Sequence, residues 1–353
     1  MPGDLPRRKA FHLVPLHDFL VGQTAETFVL FSERTPGQTR DGKPYFTCRF
    51  KDRLRTVACM VWADSPWYAD CEKAWVLGQA YRLIVTYGHH EKYGPQIEIL
   101  KWRNIHVDDC NAGFDLANLV DSSRFSIPGM WEEVLALIEK EIQQPALKQL
   151  INTIYAQHAA SLQSLPASDG RFYPFRGGWL EHVLSLSKSC ILLSDHYLKQ
   201  YEGVEPQLDR DLVLSGALLH DVGRALEFTT DPLGILTQPT VPGKLFGHVT
   251  LGRDLVRQTA LLQGDLAPDF LERLEHLILS HLVHPEWGSP RLPMIPEVLI
   301  LHHADDLDAK LEMYLRCLSR DQSTGPFTAR DPVLGKALLK SLPSGTDDPK
   351  NVD

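Results

Sequence analysis

The sequence has no paired cysteines. Its six, Cys48, Cys59, Cys71, Cys110, Cys190 and Cys317, are scattered, without a Cys-x-x-Cys spacing. That argues against a disulfide framework or a thiolate zinc site, and it fits a reducing cytoplasm. Nowhere do 18 uncharged apolar residues run together, so no transmembrane helix and no membrane partner are expected. Residues 1–8 are polar and Pro-containing with no apolar run behind them, so no signal peptide is expected. The sequence also lacks a P-loop, a Gly-x-Ser-x-Gly elbow and a Gly-x-Gly-x-x-Gly turn. Those absences remove the usual phosphate-cradling, serine-nucleophile and dinucleotide signatures.

The chain is long enough, at 353 residues, for two ordinary domains, and its 43% hydrophobic and 23% charged composition is that of a soluble globular protein. The net charge of −9 is unevenly spread. Residues 1–112 hold 15 Lys/Arg against 13 Asp/Glu, and the remainder 21 against 32. An acidic protein is no general polyanion binder, but a near-neutral front half leaves room for a local basic groove. The acidic back half suits a cation site.

Residues 13–108 read as β-rich. Phe28-Val29-Leu30-Phe31 is a short apolar run, and residues 36–44 form a Gly/Pro-containing turn. Residues 45–50 then alternate, with Phe46, Cys48 and Phe50 on one face and Tyr45, Thr47 and Arg49 on the other. Residues 55–62, 79–87 and 96–100 are further strands, the last preceded by a turn at 92–95, and residues 65–75 are helix-compatible. Five strands with a helix between the third and fourth predict an OB-like barrel. Beyond residue 108 the periodicity becomes helical. Residues 109–170 are expected to form a helical linker, residues 171–325 an all-α domain, and the polar segment 341–353 a disordered tail. The expected class is thus α+β multidomain, a five-stranded barrel followed by a helical bundle.

His220-Asp221 closes Leu212-Val213-Leu214-Ser215-Gly216-Ala217-Leu218-Leu219, and a helix apolar all round is a buried helix. Ionisable side chains at its end must be paired or metal-bound, because an unpaired buried charge is costly. In isolation a His-Asp dipeptide is more often a surface pair; its companions change the balance. His182 and His248 each open a helical run. In residues 269–283, His281 shares a face with Leu274, Leu277 and Ile278, while His276 falls on the charged face. Asp305 follows Leu301 by four residues and Val298 by seven, with Asp308 further along and His302 able to join them. The competing reading of Asp305 and Asp308 is an acidic solvated face. Imidazoles and carboxylates without thiolate suit manganese, iron(II), zinc or magnesium. Two such ions would serve phosphodiester hydrolysis without a Ser or Cys nucleophile.

The order His182, His220-Asp221, Asp305 resembles the HD phosphohydrolase superfamily, and His248 and His281 resemble the extra histidines of its binuclear members. More narrowly, the chain resembles the YhaM-type 3′→5′ exoribonucleases, which join an OB domain to an HD domain. The most specific stretches are Gly177-Gly178-Trp179-Leu180-Glu181-His182, Ser280-His281-Leu282-Val283-His284-Pro285-Glu286-Trp287-Gly288-Ser289-Pro290 and Leu307-Asp308-Ala309-Lys310. The resemblance implies metal binding by His182, His220, Asp221, His248, His281 and Asp305, with two divalent ions, manganese first among them. It places Asp221, Arg224, Asp308 and Lys310 in the catalytic machinery. Arg224 stands where the family has Lys, Phe172-Tyr173 replaces a His-His pair, and Leu282 replaces a second His.

The front domain resembles the same family at Gly42-Lys43-Pro44-Tyr45-Phe46, Met60-Val61-Trp62 and Tyr93-Gly94-Pro95-Gln96. OB barrels bind single strands by stacking bases on aromatics over a positive groove. Tyr45, Arg49, Trp62 and Tyr93 are the candidates, although an aromatic in a small barrel is more often core. The expected partner is single-stranded nucleic acid, RNA before DNA, and the expected activity is 3′→5′ release of nucleoside monophosphates; a homo-oligomer is compatible with the sequence. Two alternatives stand beside it. One is an HD enzyme acting on a mononucleotide or cyclic nucleotide, with the barrel as a docking or oligomerisation module. The other is a non-catalytic single-strand binder of replication or conjugation, which the full ligand set argues against.

Overall fold

The computed structural model describes residues 11–39, 41–90, 94–230, 236–321 and 323–340. Tyr93 and the 341–353 tail lie outside the described residues. The chain divides into two compact units, Met1–Ser122 and Ser123–Asp353.

In the first unit, β1 (Thr24–Gln38), β2 (Pro44–Lys51), β3 (Thr56–Trp62), β4 (Ala80–His90) and β5 (Gly94–Asn104) close a barrel in the order β1-β2-β3-β5-β4. A short helix, α1 (Tyr68–Lys73), lies between β3 and β4, and a parallel pairing of Ala58 with Gln96 closes the barrel. This is the OB-like arrangement. The alternation in β2 is kept: Cys48 and Phe50 are buried while Arg49 faces solvent. Phe31, Phe50 and Trp75 form the centre, with ring centroids 5.0–5.7 Å apart. Burying each such side chain contributes roughly 1.5–3 kcal/mol. β1 outruns its apolar segment. It continues through Pro36 and Gly37, which the composition assigned to a turn, because β2 pairs with it as far as Gln38↔Pro44.

Asp109 ties the end of this unit to the barrel wall. Its Oδ1 accepts from Arg82 (2.7 Å) and Arg103 (2.6 Å), and its Oδ2 accepts from Arg103 (2.7 Å) and the His106 amide (2.8 Å). The side chain is buried. The Arg103 guanidinium, with the His106 amide and Arg82, outweighs burial and holds the carboxyl below its usual range.

The second unit contains α2 (Ile127–Glu141), α3 (Pro145–Ser164), α4 (Gly178–Gln200), α5 (Arg210–Leu219), α6 (Arg224–Glu227), a hairpin of β6 (Phe228–Thr230) and β7 (Leu236–Pro239), α7 (Val241–Gln263), α8 (Pro268–Ser280) and α9 (Pro296–Arg320). The hairpin is the departure from an all-α reading. The 109–170 segment is not a separate linker. Residues up to 122 belong to the first unit, and α2 and α3 bury Ile138, Leu147, Leu150, Ile151 and Ile154 in the same core as α4, α5, α8 and α9. Asp211 of α5 cements this by accepting the Gln143 and Gln144 amides at 2.9–3.1 Å, at the start of α3. Helical periodicity alone does not distinguish a linker from a core helix, since both have an apolar stripe.

Asp109→Asn is expected to lower barrel stability at neutral pH by about 1.5–3 kcal/mol, the worth of hydrogen bonds to a charged group. Because the folded carboxyl is held low, its contribution is full above the unfolded value near pH ~3.9 and is lost as the pH falls through the lower folded value. Denaturant titrations of both forms at neutral and strongly acidic pH check this; a stability gap that does not narrow with acid contradicts it.

Candidate metal centre

The end of α5 is pinned from two sides. Tyr155 of α3 donates its hydroxyl to the Leu218 carbonyl (2.9 Å), and Trp179 of α4 donates its indole N–H to the Asp221 carbonyl (3.2 Å). Gly223 then lets the chain turn directly beneath α7: a Cβ there would stand 2.0 Å from the His248 carbonyl oxygen. Within α7, Gly247 adopts φ 68°, ψ 165°, a conformation that only glycine takes readily, and so redirects the helix at His248. His281 caps α8, His182 sits in the first turns of α4, and Asp305 lies on α9.

All six expected ligands meet. Ligand atoms of His182, His220 and Asp305 lie within 4.8 Å of one another, as do those of His220, Asp221 and His281, so His220 belongs to both groups. His248 joins through Asp221, its Nε2 being 3.1 Å from Asp221 Oδ1; His281 Nε2 is 4.0 Å from that same oxygen.

The inner nitrogens have fixed partners. His220 Nδ1 donates to the Ala217 carbonyl (3.1 Å) and His281 Nδ1 to the Ile278 carbonyl (2.7 Å). A carbonyl can only accept, so Nδ1 carries the proton and the neutral ring presents a lone pair at Nε2. His182 Nδ1 meets Asp308 Oδ2 (2.8 Å), and Ser185 Oγ donates to Asp308 Oδ1 (2.5 Å). His248 Nδ1 meets Glu227 at 3.4 Å. Fixing Nδ1 to aim Nε2 is how proteins orient metal-binding imidazoles. The Nε2 atoms of His182, His220, His248 and His281 and Asp221 Oδ1 are buried without a well-formed hydrogen bond, His182 Nε2 lying 3.2 Å from Asp305 Oδ1 and His248 Nε2 3.1 Å from Asp221 Oδ1. Buried polar atoms left in this state need an explanation, and divalent cations fit it.

Asp221 is asymmetric. Its Oδ2 accepts from Arg224 Nε at 2.6 Å, leaving Oδ1 toward the imidazoles. Burial alone would raise its pKa, but Arg224 and His248 outweigh burial and hold it well below the usual range. Burial keeps His220 neutral and pushes His281 down to about 4, aided by its His220 neighbour. His182 behaves oppositely: burial disfavours its charge, yet Asp305 and Asp308 raise it to about 10. A proton there occupies the position that a cation would take.

The remaining expected residues are placed differently. Arg224 is committed to Asp221, and Asp308 to His182 and Ser185, so each positions a member of the cluster. Lys310 is exposed and pairs with Asp306 at 2.7 Å. His302 donates to the His281 carbonyl (2.8 Å) and steadies that ligand from behind. Phe172 and Tyr173 each lie 5.5 Å, ring to ring, from His182 and wall it without adding a ligand nitrogen. Glu227 and Ser185 escaped the sequence reading. Glu227 reaches a histidine 21 residues on, from a one-turn helix that carries no periodic signal.

On the barrel, Tyr45 and Trp62 face outward across β2 and β3, with ring centroids 5.0 Å apart and Trp62 45% exposed. Arg49 is also exposed, but its Nε is 3.1 Å from Glu33 Oε2.

Loading the cluster with Mn²⁺ at pH 7 is expected to release protons from the carboxylate-held imidazoles, chiefly His182, whose pKa is raised most clearly, with His248 shifted in the same direction. Apparent affinity should therefore rise with pH. Calorimetric titrations in two buffers of different ionisation enthalpy measure the protons; identical heats would remove His182 from the ligand set.

Residues 179–310, over a third of the chain, match the HD domain family. No helix among the described residues is long and apolar enough to cross a membrane. The helical unit carries an HD domain, and an HD domain implies a metal-dependent phosphohydrolase.

Proposed function

We propose that the chain is a metal-dependent phosphodiesterase that hydrolyses single-stranded nucleic acid, RNA before DNA, from the 3′ end, releasing nucleoside monophosphates. The observation that carries this is the pairing, in one chain, of the imidazole–carboxylate cluster with an OB-like barrel whose Tyr45 and Trp62 rings stand side by side on the outer face. Divalent ions held by His182, His220, Asp221, His248, His281 and Asp305 would supply an activated water and neutralise charge on the phosphoryl oxygens. The protein's own groups do the positioning. Arg224 fixes Asp221, Asp308 and Ser185 fix His182, and the Ala217 and Ile278 carbonyls set the tautomers of His220 and His281. Lys310 is exposed, and a phosphate would have to compete with its Asp306 partner for the ammonium. The barrel captures the strand: Tyr45 and Trp62 stack bases, which needs unpaired faces, so duplex ends should be poor substrates.

One observation favours a second reading. Arg49 is ion-paired with Glu33, so the outer barrel face is less positive than a strand-tracking groove requires. The alternative is a mononucleotide or cyclic-nucleotide hydrolase whose barrel docks a partner or a second copy. Incubation with end-labelled single-stranded RNA and DNA, with manganese and with a chelator, separates the readings. Laddering from the 3′ end that the chelator stops supports the nuclease; turnover of mononucleotides alone supports the alternative.

Asp221→Asn is expected to abolish hydrolysis while leaving single-strand affinity within about twofold, since capture and chemistry lie in different units. Tyr45→Ala should raise KM for long single strands about 5- to 150-fold, as loss of one base stack does, with little change in turnover of a small chromogenic phosphodiester. Equal kcat/KM of Tyr45→Ala and wild type on long strands would contradict the capture role.

A further inference from the structure

Trp287 is a large aromatic that the fold holds in place without burying. Its side chain is 52% exposed. The turn that carries it is fastened at several points: the Trp287 amide donates to the His284 carbonyl (3.0 Å), and Gly288, in a left-handed conformation, donates to the Pro285 carbonyl (2.9 Å). Ser289 is buried, with its hydroxyl 2.7 Å from the Arg291 carbonyl, to which it donates, and 3.1 Å from that of Leu279. Ahead of the turn, Val283 stands at φ 63°, a left-handed conformation that disfavours a β-branched residue. An exposed indole on such an over-determined turn is not there to fill a core.

Its surroundings say what it faces. Its ring lies 6.1 Å from that of His302, the residue that donates to the His281 carbonyl, and 4.5 Å edge-on from His284. The Lys310 ammonium is 6.0 Å from the indole centroid. His302, Asp306 and Lys310 are spaced four residues apart on α9, so Trp287 borders the face of the helix next to Asp305. A half-exposed indole therefore borders this face of α9, with the Lys310 ammonium over its ring and the Asp306 carboxylate paired to that ammonium. That is the chemistry of a base-plus-phosphate site.

We propose that Trp287 is the stacking platform for the nucleobase of the nucleotide whose phosphodiester enters the metal centre, with Lys310 beside it for an adjacent phosphate. This rests on the nucleotide-hydrolase reading above and deepens it. The barrel aromatics take other bases of the strand; Trp287 recognises the residue being cut, as a base of any identity, because every base offers a π-face.

The test uses the full-length protein with Mn²⁺ and two single-stranded RNA substrates, identical except that one lacks the base on its 3′-terminal nucleotide. Wild type should cleave the base-bearing strand with kcat/KM about 5- to 150-fold higher. Trp287→Ala should lose that preference, lowering kcat/KM on the natural strand and leaving the abasic strand nearly unchanged. Trp287→Phe should keep most of the preference. A variant damaged in fold or metal binding loses activity on both strands alike, so the ratio isolates stacking. If Trp287→Ala retains the wild-type ratio, the platform is overturned. A wild type that cleaves neither strand overturns the nuclease reading instead, and AMP affinity then decides the platform: weakened in Trp287→Ala if it stands, unchanged if it fails.

Discussion

The two oxygens of Asp221 have different fates, and much of the helical unit is arranged around that difference. Arg224 takes Oδ2 at 2.6 Å, which neutralises a buried carboxylate and fixes its rotation. Oδ1 is left facing the imidazoles of His248, at 3.1 Å, and His281, at 4.0 Å. The Arg224 contact turns Oδ1 toward the imidazoles, and a carboxylate with no such partner could not remain charged at this depth. The backbone serves the same end. Tyr155 and Trp179 hold the turn, and Gly223 lets it lie against α7.

The imidazoles show the same division of labour. Each turns its Nε2 into the cluster and has its Nδ1 occupied, by a carbonyl within one helical turn for His220 and His281, and by a carboxylate for His182 and His248. The choice of partner has electrostatic consequences. Carbonyl-held rings stay neutral and ready to ligate at ordinary pH. The carboxylate-held His182 attracts a proton that a cation must displace. The cluster thus combines two imidazoles kept neutral by burial, His220 and His281, with two carboxylate-held ones, His182 and His248, that attract a proton.

Such a cluster is expensive in an apolar core, and the surrounding packing is dense enough to hold it open. Trp179, Leu180, Val183, Leu218, Leu219, Leu277, Ile278 and Leu301 are all fully buried around it. The barrel follows the opposite logic. Its aromatic centre is closed by Phe31, Phe50 and Trp75, and Tyr45 and Trp62 are left on the outside. Placing two large rings on a solvated sheet face costs little when they cover one another, and it leaves π-faces available.

Much of this was legible in the residue pattern. The alternation of residues 45–50 separated Cys48 and Phe50 from Tyr45 and Arg49, because a strand's period of two admits only two faces. The apolar run before His220-Asp221 required a buried helix, and the placement of His281 among Leu274, Leu277 and Ile278 pointed it inward rather than His276. These are local constraints, carried by residues within a few turns of one another. What the sequence could not decide was pairing at a distance. That α2 and α3 are core helices follows from Asp211 reaching the Gln143 and Gln144 amides. That Arg224 and Asp308 hold ligands, that Arg49 is matched by Glu33, and that Cys48 and Cys71 lie 3.4 Å apart depend on contacts between separate elements. Periodicity reports which way a side chain points from its own axis; only the packing of one element on another determines what it meets there.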